Sequence, residues 1–204
     1  MVVGVIALVV VAGFLLLGGD DLLPGGDGGT DAPGDFSFQL QQVGASTFSD
    51  TPAGELRTVA RDAGDGVKAT MDEFYFRAFV DAGSWGEYGD AFALFDRAAA
   101  ARAEEDTDIL TLGASAGEEY ERLEPTLGTL TIVVLMDGND RPVTAIAEVE
   151  FAADAELTDG SRTVVASSGS YFLRRAGDAW RIFAYRLTRE ETAAGEASPA
   201  EDAE

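Results

Sequence analysis

Residues 1–19, MVVGVIALVVVAGFLLLGG, form an apolar run without one charged side chain. At about 1.5 Å per residue a helix of this length reaches about 28 Å, close to the roughly 30 Å hydrocarbon core of a bilayer. The run lacks a basic leader, an A-x-A cleavage site and a Cys for lipid attachment, so an uncleaved single-pass anchor is expected rather than a signal peptide. Five acids follow (Asp20, Asp21, Asp27, Asp31, Asp35) and the first base is Arg57. The acidic side of the span is therefore expected outside the cytoplasm, giving a cell-membrane protein with the bulk of its chain extracytoplasmic. Residues 20–35 have the Gly/Asp/Pro composition of a linker, and residues 190–204, with six acids and no base, that of a disordered acidic tail.

Between them, residues 36–189 read as one folded domain. Phe36, Phe38 and Leu40 alternate with Ser37 and Gln39, a short strand. Thr51-Pro52 reads as an N-cap followed by proline at the first helical position. Apolar residues then recur at Leu56, Val59, Ala60, Ala63, Val67, Met71, Phe74, Tyr75, Ala78 and Phe79, the spacing of a long amphipathic helix, with a kink expected at Gly64 and Gly66. Further helices are expected over residues 90–105 and 106–112. Past Pro125 the period drops to two, and four strands (127–136, 143–151, 163–175, 180–187) alternate with the turns Asp137–Asp140, Asp159-Gly160 and Gly177-Asp178. Gly169 in mid-strand predicts a bulge. The fold class this predicts is α+β: an N-terminal transmembrane helix, then helices packed on a strongly bent four-stranded antiparallel sheet.

Composition narrows the chemistry. With neither Cys nor His, the chain offers no thiolate, no imidazole base and no metal site of the usual kinds, and no cofactor is expected. A net charge of −23 disfavours nucleic acid as a partner. Removing the five linker acids and six tail acids leaves −12 on the domain. The basic residues are Arg apart from Lys68, which with abundant Ala and Gly suggests a GC-rich genome, and the acidity also fits a saline habitat.

A long helix, two shorter ones and a bent meander ending in GDAWRIFAYRLTR resemble the nuclear-transport-factor-2-like (cystatin-like cone) superfamily, most of all at Gly177–Ile182. Residues 135–151, LMDGNDRPVTAIAEVEF, are also similar to uncharacterised single-pass membrane-anchored proteins of GC-rich Gram-positive bacteria. The resemblance spans about residues 36–189 and implies a cone-like fold; a superfamily of this kind hosts many functions. Its isomerase and cyclase enzymes place an Asp, His or Tyr inside the cone, which here leaves Asp72, Tyr75 and Tyr171, weighed against a solvent-facing Asp72 and core tyrosines.

Two further groups stand out. Trp85 and Tyr88, near Phe79 at the Gly-rich break after the long helix, either line a pocket for an apolar ligand, with Tyr75 and Tyr171 deeper in, or plug the cone. Residues 162–189 hold six Arg and one acid, a local +5. Arg174, Arg181 and Arg186 are candidates for a protein-partner face in a cell-envelope complex, against the simpler expectation that these arginines pair with Glu148 and Glu150 across the strands. The expected function is a membrane-tethered binding or assembly domain without catalytic chemistry, the alternative a carrier or sensor of a small apolar ligand.

Overall fold

The structure, a computed structural model, describes residues 36–47, 49 and 51–194. It is α+β, built on one five-stranded sheet in the order β1 (Gln39–Ser46), β2 (Tyr120–Met136), β3 (Pro142–Leu157), β4 (Arg162–Ala176) and β5 (Ala179–Ala193). β2 to β5 are the expected antiparallel meander. The expectation of a four-stranded antiparallel sheet is corrected by β1, which pairs parallel to β2, Val43 opposite Ile132. All of the helices lie between β1 and β2, and such a helical crossover returns the chain parallel. The strand was foreseen too early in the chain. Its body, QLQQVGAS, is too polar and small to alternate visibly, yet it hydrogen-bonds along the flank of β2.

The expected single-pass membrane architecture is likewise not carried by the fold. Among the described residues no helix is long and apolar enough to cross a membrane. The long helix α1 (Ala53–Tyr75) carries Glu55, Arg57, Arg61, Asp62, Asp65, Lys68, Asp72 and Glu73, a charged stripe that requires water. The anchor expected at residues 1–19 and the linker at 20–35 lie outside the described residues, as does the tail from residue 195; β5 itself runs four residues past the expected boundary at Arg189. The membrane reading and the localisation that followed from it are set aside.

α1 buries Leu56, Ala60, Ala63, Val67, Met71, Phe74 and Tyr75 against the sheet, the i, i+3/i+4 stripe of its sequence. Val59, counted in that stripe, is 37% exposed. The helix runs through Gly64 and Gly66 without a break. A Cβ on Gly64 would stand 3.0 Å from Val43 of β1, and one on Gly66 2.9 Å from the Trp180 ring of β5. Two helical steps are about 200° apart, so the two edges of the sheet approach α1 from opposite sides. The sheet therefore curls around the helix, and the glycines are where it closes in.

After a π-helical turn (Phe76–Val80) and a 3-10 turn (Ala82–Ser84), the expected second helix divides into α2 (Gly89–Phe92) and α3 (Arg97–Glu105). The residues between them lie along β5: the Asp96 N–H donates to the Ile182 carbonyl at 2.8 Å and the Ile182 N–H to the Leu94 carbonyl at 3.1 Å. This short segment covers part of the β5 edge, which would otherwise be open to foreign strands. α4 (Thr107–Leu110) and α5 (Ala116–Glu119) complete the helical side. Helices thus cover one face of the sheet and leave the other to solvent.

Candidate functional site

The space between the helices and the curled sheet is filled. Phe38 lies 4.9 Å from Tyr75, Tyr75 5.1 Å from Phe79, Phe79 5.0 Å from Phe151, and Phe74 5.6 Å from Tyr171, ring centre to ring centre. Edge-to-face and offset contacts of this kind stabilise a packed core. Tyr75 and Tyr171, the candidate ligand residues, are both fully buried here. The Tyr171 hydroxyl donates to the Tyr75 hydroxyl at 3.3 Å, and the Tyr75 hydroxyl shares a 3.1 Å hydrogen bond with Ser167 Oγ. Burial pushes the Tyr75 phenol up to about 12, against the opposing pull of its two hydroxyl partners. Burial also raises Tyr171, reinforced by Tyr75 beside it. These are neutral phenols whose protons satisfy one another.

Asp72 stands apart from this line. Its carboxylate accepts from Ser37 Oγ at 2.9 Å, the Phe38 N–H at 2.9 Å and Lys68 Nζ at 2.6 Å, a clamp that fixes the approach to β1 onto α1. No general-base geometry joins it to the tyrosines, because it belongs to the outer side of the helix. Trp85 donates its indole N–H to the Phe79 carbonyl at 2.9 Å and meets Tyr120 edge-on at 6.1 Å. It is buried in the core, with Tyr88 hydrogen-bonded to the Gly113 carbonyl. Among the described residues no group of His, Cys, Asp and Glu is arranged to hold a metal ion.

The arginines do something different from the cross-strand pairing expected. Among the described residues Glu148 and Glu150 take part in no ion pair. Arg174 instead reaches Asp96 at 2.7 Å, and Asp96 also caps α3 by accepting from the Ala98 and Ala99 N–H groups. Arg181 donates to the Ala93 carbonyl. Both tie the Ala93–Asp96 segment to the sheet, so part of the local positive charge has a structural task. Arg189 bridges Glu191, the Tyr120 hydroxyl and the Asp108 carbonyl at 3.1, 3.1 and 3.3 Å. The Arg186 side chain remains exposed, without an ion pair or side-chain hydrogen bond among the described residues.

What the three candidate arginines share is the outer face of the sheet, and the structure adds an apolar row there that was not foreseen. Val133, Ile146, Phe172 and Ala184 stand opposite one another across β2, β3, β4 and β5. All four are half-buried with no layer above them, and Phe183, looped out where the β4–β5 register shifts, is 36% exposed. Phe172 and Phe183 lie 6.4 Å apart, with the Arg174 guanidinium 5.9 Å over the Phe183 ring. On the next two rows Thr131, Glu148, Ser170 and Arg186 precede Thr129, Glu150, Ser168 and Thr188. The signal in the sequence is the doubled alternation of β2, where Thr131, Val133 and Leu135 lie on the face opposite Leu130, Ile132 and Val134. No known family, curated protein or solved structure matches the chain.

Proposed function

We propose that this chain is a binding or assembly domain without catalytic chemistry, and that it meets its partner through the outer face of the sheet. The observation that carries this reading is the apolar row Val133–Ile146–Phe172–Ala184 with exposed Phe183, bordered by Arg174 and Arg186 in a protein of net charge −23. An apolar patch rimmed by polar groups is the usual signature of a contact surface, and arginine with aromatic rings supplies the strongest contacts there. A carrier of small apolar ligands has less support, since rings occupy the space where a ligand would sit. Catalysis by Asp72 has less still, since its oxygens are engaged by Ser37, Phe38 and Lys68.

The test is the native size of the full chain in extracts of its own cells. The double variant Phe183→Asp/Arg186→Glu should move it from a complex to the size of the free chain, with the melting temperature of the purified protein unchanged. A complex that persists in this variant contradicts the reading.

A further inference from the structure

We propose that the free edge of β1 takes up an extended acidic segment of a partner protein as a further strand, with Arg57 and Arg61 of α1 meeting its carboxylates. This goes beyond the outer-face contact and does not depend on it.

The two edges of the sheet differ. The β5 edge carries the Leu94–Asp96 segment. β1 ends the sheet on the other side, and among the described residues nothing hydrogen-bonds to its outer edge. In a strand with one neighbour, alternate residues turn their N–H and C=O groups away from that neighbour. Such edges are commonly blunted by charge, by proline or by a bulge. The β1 sequence QLQQVGAS has no charge and no proline. Its one irregularity, at Gln41, comes early, and from Gln42 to Ser46 the pairing with β2 runs in unbroken register. That stretch can accept a strand through main-chain hydrogen bonds, the way extended peptides join sheet edges.

Charge selects the occupant. Gly64 faces β1, since a Cβ there would meet Val43 at 3.0 Å. At about 100° per residue, Arg57, Lys68 and Arg61 lie about 20°, 40° and 60° round from Gly64, on the side away from the buried stripe. The acids of α1 lie farther round: Asp72 at about 80°, Asp65 at about 100°, and Asp62, Glu55 and Glu73 at about 160–180°. Phe38 sits by Asp72 and Val43 by Gly64, so β1 runs toward the N-terminus of α1, and its regular stretch lies alongside Arg61 and Arg57. A basic row thus borders the open edge of a protein of net charge −23. Lys68 is paired with Asp72, whereas Arg57 and Arg61 are exposed and take part in no ion pair among the described residues. Two copies joined through their β1 edges would bring two basic rows together, and repulsion disfavours that arrangement. An acidic partner segment satisfies both the edge and the arginines.

The probe is a labelled peptide of about ten residues alternating Glu and Val, read by fluorescence anisotropy on the full chain. The overall charge of the protein repels this peptide, so its binding reports a local site. The Glu–Val peptide should bind at least about tenfold more tightly than a Gln–Val peptide of the same length, and Arg57→Glu/Arg61→Glu should remove that advantage. Both arginines are exposed, so the melting temperature of the double variant should stay that of the parent. Methylating the central amide nitrogens of the peptide removes donors without changing charge, and should abolish binding. The Phe183→Asp/Arg186→Glu variant should bind the peptide as the parent does, which separates this edge from the outer face. No binding, binding that survives amide methylation, or binding indifferent to R57E/R61E overturns the proposal. Binding that appears only once residues 195–204 are removed overturns it too, since the occupant is then the chain's own stretch with Glu196, Glu201, Asp202 and Glu204.

Discussion

Gly169 of β4 and Arg186 of β5 approach so closely that a Cβ on Gly169 would lie 2.1 Å from the Arg186 carbonyl oxygen. Gly169 also holds φ at +141°, a conformation that L side chains rarely adopt. It stands in register with Leu187; the ladder shifts instead between Phe172 and Leu173, where Phe183 is pushed outward. The glycine foreseen as a bulge is thus a point of backbone contact, and the bulge itself lies nearby and builds the exposed aromatic pair.

Gly169→Ala should therefore lose about 3 kcal/mol or more, since backbone strain and overpacking each cost about 1–3 kcal/mol. Urea unfolding measures the loss. A variant as stable as the parent contradicts the close approach.

Stability should fall in alkali. Tyr75 is wholly buried with its pKa raised from 10.0 to about 12, so the folded state holds its proton more tightly than the unfolded state. That contribution is fully present below pH 10 and is lost as pH rises through about 12. At about 1.36 kcal/mol per unit it amounts to about 2.7 kcal/mol. Tyr171 moves the same way and steepens the decline. In Tyr75→Phe the decline between pH 10 and 12 should flatten, at a neutral-pH cost of about 1 kcal/mol for the lost hydroxyl partners. Unfolding free energies from pH 8 upward test both statements.

Asp96→Ala should cost about 1–2 kcal/mol as the cap of α3 is lost, and it also frees Arg174. The Leu94–Asp96 segment should loosen from β5, so hydrogen exchange at the Ile182 amide, which donates to Leu94, should speed up. Unchanged protection of that amide contradicts the role assigned to this segment.

Salt should stabilise the protein. With 14 basic against 37 acidic side chains, self-repulsion opposes the compact state, and screening shortens from about 10 Å at 0.1 M to about 3 Å at 1 M salt. The melting temperature should rise over that range; a fall would show that specific ion pairs such as Arg174–Asp96 outweigh the general repulsion.

The meander was legible because β2 to β5 alternate and are punctuated by Asp-Gly and Gly-Asp turns, which are local signals. The α1 stripe was legible for the same reason. β1 was legible only at its first residues, since the stability of the rest comes from pairing along β2 rather than from its own polar sequence. Thr51 shows the limit of local rules most clearly. Its hydroxyl does not cap α1 but joins those of Thr47 and Ser49 on the carboxylate of Asp140, which sits at φ 58° in the β2–β3 turn. That clamp links residues some 90 positions apart, and nothing in the spacing announces it. The arginines failed as a prediction for a related reason. Their count and signs are in the sequence, but Asp96, the partner that Arg174 chose over Glu148, comes from another element.

The measurement that bears most directly on the outer face as the contact surface is photo-cross-linking in the protein's own cells, with a benzophenone side chain in place of Phe183 and, separately, of Ile109. Both positions are exposed, one on the outer sheet face and one on the helical side. The account predicts a discrete covalent adduct from position 183 and none from position 109. Adducts from position 109 alone, or none from either, would contradict it.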